Sequence, residues 1–318
     1  MNDSTLEKIK NNFNLISSIA LTIIGIVGNL LVVYILTRKY FRKQSMFRYL
    51  VFATVVDTFN ILSTWPIIYA NFFQLNNLEL NCKVFFYAVY VGFQFSPLLI
   101  LVSTIDRYIT VKGTIMFVFR KKLKYQILVI LAIFLSLLAI DSPFFIYYKL
   151  GANETGCQPI NVTTSTYLDI LDGLIAAVIP FVLMILFNSL IACKLINQKA
   201  KLHQNRRKIK KDTLHFKTTC AICLYFLFCN LPFCIFTVTN DLLGIDYIGT
   251  FTFFILNTLT YVYSSCNLFV YILANRIFRN HFKQMVRLIK KPNRVGNFTQ
   301  SSNRTRAHQT FTEETFGL

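Results

Sequence analysis

Long apolar stretches alternate with short polar segments along the whole chain of 318 residues. Seven of these stretches reach about 20 residues or more, the length that an α-helix needs to cross the hydrocarbon core of a membrane. They cover residues 15–37, 47–69, 84–111, 127–147, 170–196, 218–238 and 248–274, here called spans 1 to 7. Because the connections are too short for a second domain, the pattern predicts an all-α membrane protein, a seven-transmembrane helix bundle over residues 15–274.

The composition agrees with this prediction, since 54% of the residues are hydrophobic and only 15% are charged. The formal net charge is +19, which in a soluble protein would suggest a nucleic-acid partner. Here the basic residues collect on one side of the predicted membrane, and only four of the 33 lie opposite: Lys8, Lys10, Lys83 and Lys149. By the positive-inside rule, the amino terminus is outside and the carboxyl tail inside. The charge therefore indicates a multi-pass plasma-membrane topology and contact with anionic lipid, not nucleic acid.

The outer side carries the candidate modification sites. Residues 1–14 are predicted to form an extracellular amino-terminal segment, with span 1 retained as a signal anchor. Of the eight cysteines only Cys82 and Cys157 lie on this oxidising side, so we predict a disulfide between them; the alternative is two free thiols. Three glycosylation sequons also fall there, at Asn2, Asn153 and Asn161.

A single carboxylate, Asp57, lies midway along span 2 with no cation in its own span. Burying it in hydrocarbon is costly, so it needs polar partners from neighbouring helices. Polar residues at a comparable depth in the other spans are Asn29, Ser96, Ser264 and Asn267. Such a set of oxygens suits a small hard cation such as Na⁺, or else a water network. The alternative is an Asp57 kept protonated by hydrogen bonds.

A series of short motifs follows the spans in order: Gly28 and Asn29 in span 1, Asp57 in span 2, Asp106-Arg107-Tyr108 closing span 3, Pro180 in span 5, Phe226 with Cys229-Asn230-Leu231-Pro232 in span 6, and Asn267-Leu268-Phe269-Val270-Tyr271 in span 7. Together with the Cys82 and Cys157 pair, this series resembles the rhodopsin-like (class A) G-protein-coupled receptors over nearly the whole chain. Pro66 beside Trp65 resembles the peptide-binding branches, which include the neuropeptide receptors.

The chain departs from that family in four places. Asn230 stands where a tryptophan usually lines the pocket floor, and Leu268 stands where proline is usual in span 7. Span 4 lacks its usual tryptophan, and Asn188 replaces a common tyrosine in span 5. These departures bring into question the family's usual account of how span 6 is triggered.

On the inner side, the resemblance implies a heterotrimeric G protein as the partner, reached through Asp106, Arg107 and Tyr108 and through Asn267 and Tyr271. It implies a short amphipathic helix at 275–289 along the membrane surface, followed by a disordered cytoplasmic tail at 290–318. Phosphorylation of that hydroxyl-rich tail could recruit arrestin. No enzymatic activity or cofactor is expected, apart from the Na⁺ considered above.

Asp212 is the one acid among nine basic residues between Lys194 and Lys217. The resemblance implies that it forms an ion pair with Arg107, which would favour the closed state by about 1 kcal/mol. Breaking the pair would let the inner end of span 6 swing outward. The alternative is that Asp212 only offsets its basic neighbours.

The outer side is comparatively acidic and so favours a cationic ligand. Asp172, two helical turns above Pro180, is the first candidate for its counter-ion, and Asp141 is the second. Val89 occupies the span 3 position where aminergic receptors have an aspartate, so an aminergic receptor is not expected. Residues 248–274 contain no lysine, which opsins need in span 7, so an opsin is not expected either. The remaining prediction is a cationic or amidated peptide, in a pocket that also includes Asn230 and Tyr261; a non-peptide small molecule is the alternative.

Two further classes fit the sequence less well. A transporter would show inverted repeats in two matching halves, and the chain has none. An intramembrane enzyme would need paired acids, a Ser/His dyad or a metal cluster within the spans, whereas all four histidines lie at or beyond the inner surface.

Overall fold

The computed structural model describes residues 3–63, 79–113, 122–150, 157–200, 206–245 and 250–290, apart from a few of their side chains. Within these ranges, six helices are long and apolar enough to cross a membrane, and a bent pair of shorter helices makes a seventh crossing. The predicted seven-helix bundle is therefore confirmed. In order, the spans are Asp3–Leu36, Ser45–Leu62, Glu79–Lys112, Leu123–Ile140 continued by Ser142–Tyr147, Val162–Gly173 with Ile179–Ala200, Arg206–Leu243, and Phe251–Ser265 with Asn267–Ala274.

Several helices extend beyond the apolar stretches that predicted them. Span 1 begins at Asp3, so the predicted amino-terminal segment is largely helical, and span 6 begins at Arg206, well before its apolar part. Apolar composition marks only the section in the membrane, whereas backbone hydrogen bonding continues into water where nothing interrupts it. A four-residue helix, Lys39–Arg42, joins spans 1 and 2. The surface helix, Arg276–Lys290, follows span 7 where the amphipathic pattern predicted it.

One apolar core takes side chains from all seven spans and from the surface helix. Near its centre, the rings of Phe226 and Tyr263 meet edge to face with centroids 5.5 Å apart. The outward faces of the spans are also apolar, and Phe228 and Leu273 are 71% and 78% exposed. Such a surface would be unfavourable in water, but lipid covers it at no cost.

Span 5 contains a π-helical segment, Leu174–Val178, between its two α-helical parts. Pro180 follows at the second position of Ile179–Ala200 and has no amide hydrogen. The carbonyl one α-helical turn before it therefore loses its usual donor, and the backbone accommodates this with the wider π turn. The turn lies between Asp172 and the inner part of the span.

Span 7 is bent by 58° between Phe251–Ser265 and Asn267–Ala274. The residue at the break is Cys266, whose φ of −100° and ψ of 17° are outside the α-helical region. Because Leu268 stands where the family usually has proline, this bend forms without that proline.

A small hairpin and an aromatic cluster close the outer ends of spans 3, 4 and 5. Strand β1, Tyr148–Leu150, pairs antiparallel with β2, Cys157–Pro159. Tyr148 also packs with the buried Phe144 and Leu168. The ring of Tyr90 in span 3 stacks on Phe144 with centroids 3.8 Å apart.

Gly25 in span 1 lies close to both span 2 and span 7. A Cβ there would overlap Ile61 and lie 3.1 Å from the Cα of Ser265, whereas a Cβ at Gly28 would meet its nearest atom at 3.4 Å. We therefore expect Gly25→Ala to destabilise the bundle by about 1–3 kcal/mol through overpacking, and Gly28→Ala to have a smaller effect. Thermal unfolding of the detergent-solubilised protein checks this, and equal melting temperatures for the two variants would contradict it.

Candidate functional site

Arg107 and Asp212 form a buried ion pair at the inner end of the bundle. Nη2 of Arg107 donates to Oδ1 of Asp212 at 2.7 Å and to the backbone carbonyl oxygen of the same residue at 3.0 Å. The two residues are only 3% and 7% exposed. The pair joins the end of span 3 to the beginning of span 6. Separating the helices would leave each charge without its partner, so the pair favours the closed arrangement.

The neighbouring residues of the Asp106-Arg107-Tyr108 motif face other helices. Oγ of Ser45, the first residue of span 2, donates to Oδ2 of Asp106 at 2.5 Å. The ring of Tyr108 lies 5.5 Å from that of Phe187 in span 5. The three consecutive residues of the motif therefore contact spans 2, 6 and 5 respectively. Ser45 had not been predicted as a site residue.

Asn275 connects span 6 to the beginning of the surface helix. Its Oδ1 accepts hydrogen bonds from the backbone amides of Ile277 and Phe278, at 3.0 and 3.1 Å. Its Nδ2 donates to Oγ1 of Thr218 in span 6 at 3.2 Å. Asn275 and Thr218 are fully buried, and the predicted switch residue Tyr271 stacks on Phe278 with ring centroids 5.3 Å apart. The inner end of span 6 thus has a second, uncharged polar contact.

Asp57 lies at the centre of a buried polar network in the middle of the bundle. Oγ of Ser96 donates to its Oδ1 at 2.5 Å, and Nδ2 of Asn267 donates to its Oδ2 at 2.7 Å. Asn267 also reaches Oδ1 of Asn29 at 3.5 Å. Oγ of Ser264 is buried and has no hydrogen-bond partner among the described residues. The structure therefore brings together Asp57 and the four residues that the sequence grouped around it.

The same network accounts for the bend in span 7. The backbone carbonyl oxygen of Ser264 accepts from Nδ2 of Asn29 at 3.1 Å and from Nδ2 of Asn267 at 3.4 Å. Two side-chain amides thus satisfy an acceptor that in a straight helix would bond the amide of Leu268. Two residues further along, the backbone carbonyl oxygen of Cys266 accepts from the amide of Phe269 at 3.1 Å. These two residues are three apart, whereas an α-helical hydrogen bond joins residues four apart. Side-chain hydrogen bonding here replaces the helix-breaking effect of a proline.

Two carboxylates meet on one amide in the outer half of the bundle. Nε2 of Gln94 in span 3 donates to Oδ1 of Asp141 and to Oδ1 of Asp172, both at 2.9 Å. Asp141 and Gln94 are fully buried. Oδ2 of Asp141 and Oε1 of Gln94 are buried acceptors with no hydrogen-bond partner among the described residues. We call Gln94, Asp141 and Asp172 the acid pocket; it contains two acids and an excess of acceptors over donors.

Aromatic hydroxyl groups lie above the acid pocket. The hydroxyl oxygens of Tyr90 and Tyr148 are 3.3 Å apart, within hydrogen-bonding distance. Burial, together with the negative charges of Asp169 and Asp172, raises the pKa of Tyr148 to about 12. Tyr148 therefore stays protonated at physiological pH and can donate a hydrogen bond. The two carboxylates and the unpartnered acceptors of the acid pocket favour a ligand group that carries positive charge and hydrogen-bond donors.

Three further residues, Asn230, Tyr261 and Val89, were predicted for the ligand pocket and stay predictions. Nδ2 of Asn230 donates to the carbonyl oxygen of Phe226 in its own helix, at 3.0 Å. The ring of Tyr261 lies 5.5 Å from that of Phe93. Val89 is 9% exposed and precedes Tyr90 in span 3. Within the described part of the chain, no hydrogen bond joins any of the three to the acid pocket.

The predicted modification sites are only partly described. Asn161 is exposed and precedes the helix Val162–Gly173, where its Oδ1 accepts from the amide of Thr164 at 2.7 Å. Asn2 and Asn153 lie outside the described residues, as do the side chains of Cys82 and Cys157. Glycosylation and the disulfide therefore stay predictions. The same holds for Trp65, Pro66 and the tail beyond 290.

Gln94 is the main site residue that the sequence reasoning missed. It is a polar side chain within an apolar span, the same signal that identified Asp57 and Ser96. Thr218 and Asn275 gave a weaker signal, because both lie near the inner membrane surface, where polar residues are common.

Comparison with known proteins gives a consistent result. The model of a family described as 7 transmembrane receptor (rhodopsin family) matches residues 28–271. The type-1 angiotensin II receptor B of Xenopus laevis is 23% identical over 285 residues, which cover 84% of this chain and 77% of that receptor. The type-1 angiotensin II receptor A of the same animal is 22% identical over 285 residues, with the same coverage of both chains. The matched region includes the inner ion pair, the Asp57 network and the acid pocket.

Proposed function

Since the chain belongs to the rhodopsin family of seven-transmembrane receptors, we propose that it binds an extracellular cationic peptide and activates a heterotrimeric G protein. Membership makes it a multi-pass receptor of the plasma membrane and not an enzyme. The chemical class of the ligand and the way the receptor switches are the proposed part.

The observation that carries the ligand class is the acid pocket. Two carboxylates share a single amide donor, and two further buried acceptors there have no partner among the described residues. Buried acceptors without donors are costly, and two neighbouring carboxylates repel each other when both are ionised. An ammonium or guanidinium group supplies both the positive charge and the missing donors. A lysine or arginine side chain is therefore the ligand group that this pocket favours.

The peptide class is supported by the relatives. The two frog proteins are angiotensin II receptors, which belong to the peptide receptors of the rhodopsin family. The aromatic residues around Tyr90 and Tyr148 also suit a bulky ligand, because aromatic side chains provide large contact areas with little loss of conformational entropy. A non-peptide amine would meet the same charge requirement and is the second candidate.

Activation is proposed to proceed by release of the inner end of span 6. That end is held by the ion pair between Arg107 and Asp212 and by the hydrogen bond between Asn275 and Thr218. A ligand that favours the separated helices frees Arg107 for the G protein. Subsequent phosphorylation of hydroxyl groups in the tail would create negative charge for recruiting arrestin.

The ligand proposal predicts that Asp172→Asn and Asp141→Asn each lower agonist potency by about 30-fold or more, because removing one charge from a buried pair costs about 2–5 kcal/mol. Agonists are first sought in a library of amidated peptides containing Arg or Lys, and the response is G-protein dissociation in cells. Asp169→Asn, one turn away in the same helix, is the matched comparison: its charge acts on Asp172 and Tyr148 electrostatically, so it should lower potency less than either acid-pocket variant.

The same assay separates the two ligand classes. An active peptide that loses potency when its Arg or Lys is replaced by norleucine supports the proposal. Responses only to non-peptide amines would favour the second candidate. Unchanged potency in both acid-pocket variants, with normal surface expression, would refute the pocket's role.

The switch proposal predicts that Asp212→Asn raises basal nucleotide exchange about fivefold, since loss of about 1 kcal/mol from the closed state shifts the equilibrium by that factor. Thr213→Ala is the control, because among the described residues its hydroxyl bonds just the carbonyl oxygen of Ile209 in its own helix. Arg107→Ala should abolish ligand-driven exchange. Equal basal exchange in Asp212→Asn and Thr213→Ala would argue that Asp212 merely offsets its basic neighbours.

We also propose that the Asp57 network binds Na⁺. Its carboxylate and hydroxyl oxygens are hard donors, and the unpartnered Oγ of Ser264 is an additional ligand close by. Replacing N-methylglucamine by Na⁺ at constant ionic strength should raise the melting temperature of the wild type by about 2–4 °C. Asp57→Asn should remove this increase. An identical shift in both proteins would indicate a general salt effect, and hydrogen bonds alone would then hold the network.

A further inference from the structure

Two sulfur atoms are in contact between spans 5 and 6, in the inner half of the bundle, and a third lies beside the asparagine that bonds one of them. Sγ of Cys223 lies 3.4 Å from Sδ of Met184, and Sγ of Cys220 lies 3.7 Å from Oδ1 of Asn188. Nδ2 of Asn188 donates to Sγ of Cys223 at 3.2 Å, which completes the cluster. We propose that this sulfur cluster, Met184, Asn188, Cys220 and Cys223, binds one soft monovalent metal ion of the Cu(I) class.

The donor set selects the ion. Thiolate and thioether sulfur are soft ligands that prefer Cu(I), whereas hard cations prefer oxygen. Among the described residues, no three His, Cys, Asp or Glu side chains form a metal-binding group, which disfavours a zinc site with its four N or S ligands. Cys220 and Cys223 are three residues apart in one helix and so lie on the same face, towards span 5.

The charge balance also fits a monovalent ion. Binding transfers the thiol proton of Cys223 to water and forms two metal–sulfur bonds, one to the Cys223 thiolate and one to the Met184 thioether, so the complex of a monovalent ion carries no net charge. A neutral complex avoids the large cost of burying a charge in a membrane protein. With metal–sulfur bonds of about 2.3 Å and an angle of about 120° between them, the two sulfur atoms must lie about 4 Å apart. The two sulfur atoms now in contact must therefore separate by about half an ångström.

The position of the cluster connects it to the receptor switch. Met184 and Cys223 are buried, Cys220 is partly exposed, and Cys223 also interacts with Thr104, which is one turn above Arg107 in span 3. Asn188, which replaces the tyrosine common in the family, supplies the polar link between the two cysteines. A bound ion would join span 5 to span 6 and oppose the outward movement of span 6. This consequence rests on the proposed function, whereas metal binding itself does not.

Metal retention tests the site without any G protein. Reduced, detergent-solubilised receptor is titrated with Cu(I) against a bathocuproine disulfonate competitor, and bound copper is counted per receptor. The wild type should hold one equivalent more than Cys223→Ser, and Met184→Leu should weaken retention at least tenfold. Cys229→Ser is the matched control: this cysteine is buried in the same helix, outside the sulfur cluster, and its replacement should leave copper retention unchanged.

Thermal unfolding of each metal-free variant establishes that it is folded. Should Cys223→Ser fail to fold, Met184→Leu decides, because it keeps the volume and removes only the sulfur. Equal copper retention by the wild type and the folded cluster variants, or no retention by the wild type, would overturn the proposal. In a separate assay of receptor-stimulated nucleotide exchange, Cu(I) should lower the rate several-fold in the wild type but not in Met184→Leu. If the wild type retains copper but Cu(I) does not lower its exchange rate, the proposed link to the receptor switch is wrong and the metal site stands.

Discussion

A polar group inside a lipid bilayer finds no water, so it must obtain every hydrogen-bond partner from the protein itself. This constraint determines where the seven helices of the bundle can stand relative to one another. Gln94 fixes span 3 against spans 4 and 5, Asp57 fixes span 2 against spans 3 and 7, and Arg107 fixes span 3 against span 6. Apolar packing alone would be less selective, because lipid tails compete equally well for leucine and isoleucine side chains.

Span 3 is the common element of these contacts. It contributes Gln94 to the outer pocket, Ser96 to the middle network, and Asp106 and Arg107 to the inner face. A change in the position of this helix at its outer end therefore involves the same continuous helix that carries Arg107 of the inner ion pair. The helix contains Pro97, yet it is continuous from Glu79 to Lys112. Neighbouring helices that hold a helix on both sides of a proline can preserve such continuity.

The sequence predicted the fold more completely than the polar clusters, for physical reasons. The seven spans follow from apolar length alone, and the Asp57 group follows from the rarity of acids in hydrocarbon, since any such residue must have partners. The pairing of Asp172 with Asp141 through Gln94 did not follow, because it depends on how three helices are rotated about their own axes. Asn230 illustrates the same limit, because its place in the motif did not reveal that its amide bonds its own helix.

The π turn at Leu174–Val178 changes the rotation of the outer part of span 5 about the helix axis relative to the inner part. A π turn holds one residue more than the α-helical path it replaces, so everything on its outer side is turned by about 100° relative to an uninterrupted α-helix. The face that Asp172 presents to Gln94 is thus set by the width of one turn of backbone. If that turn had α-helical geometry, the carboxylate of Asp172 would be rotated away from Gln94 without any tilt of the helix. The orientation of Asp172 towards Gln94 therefore depends on the local backbone geometry of span 5 as well as on the tilt of the helix.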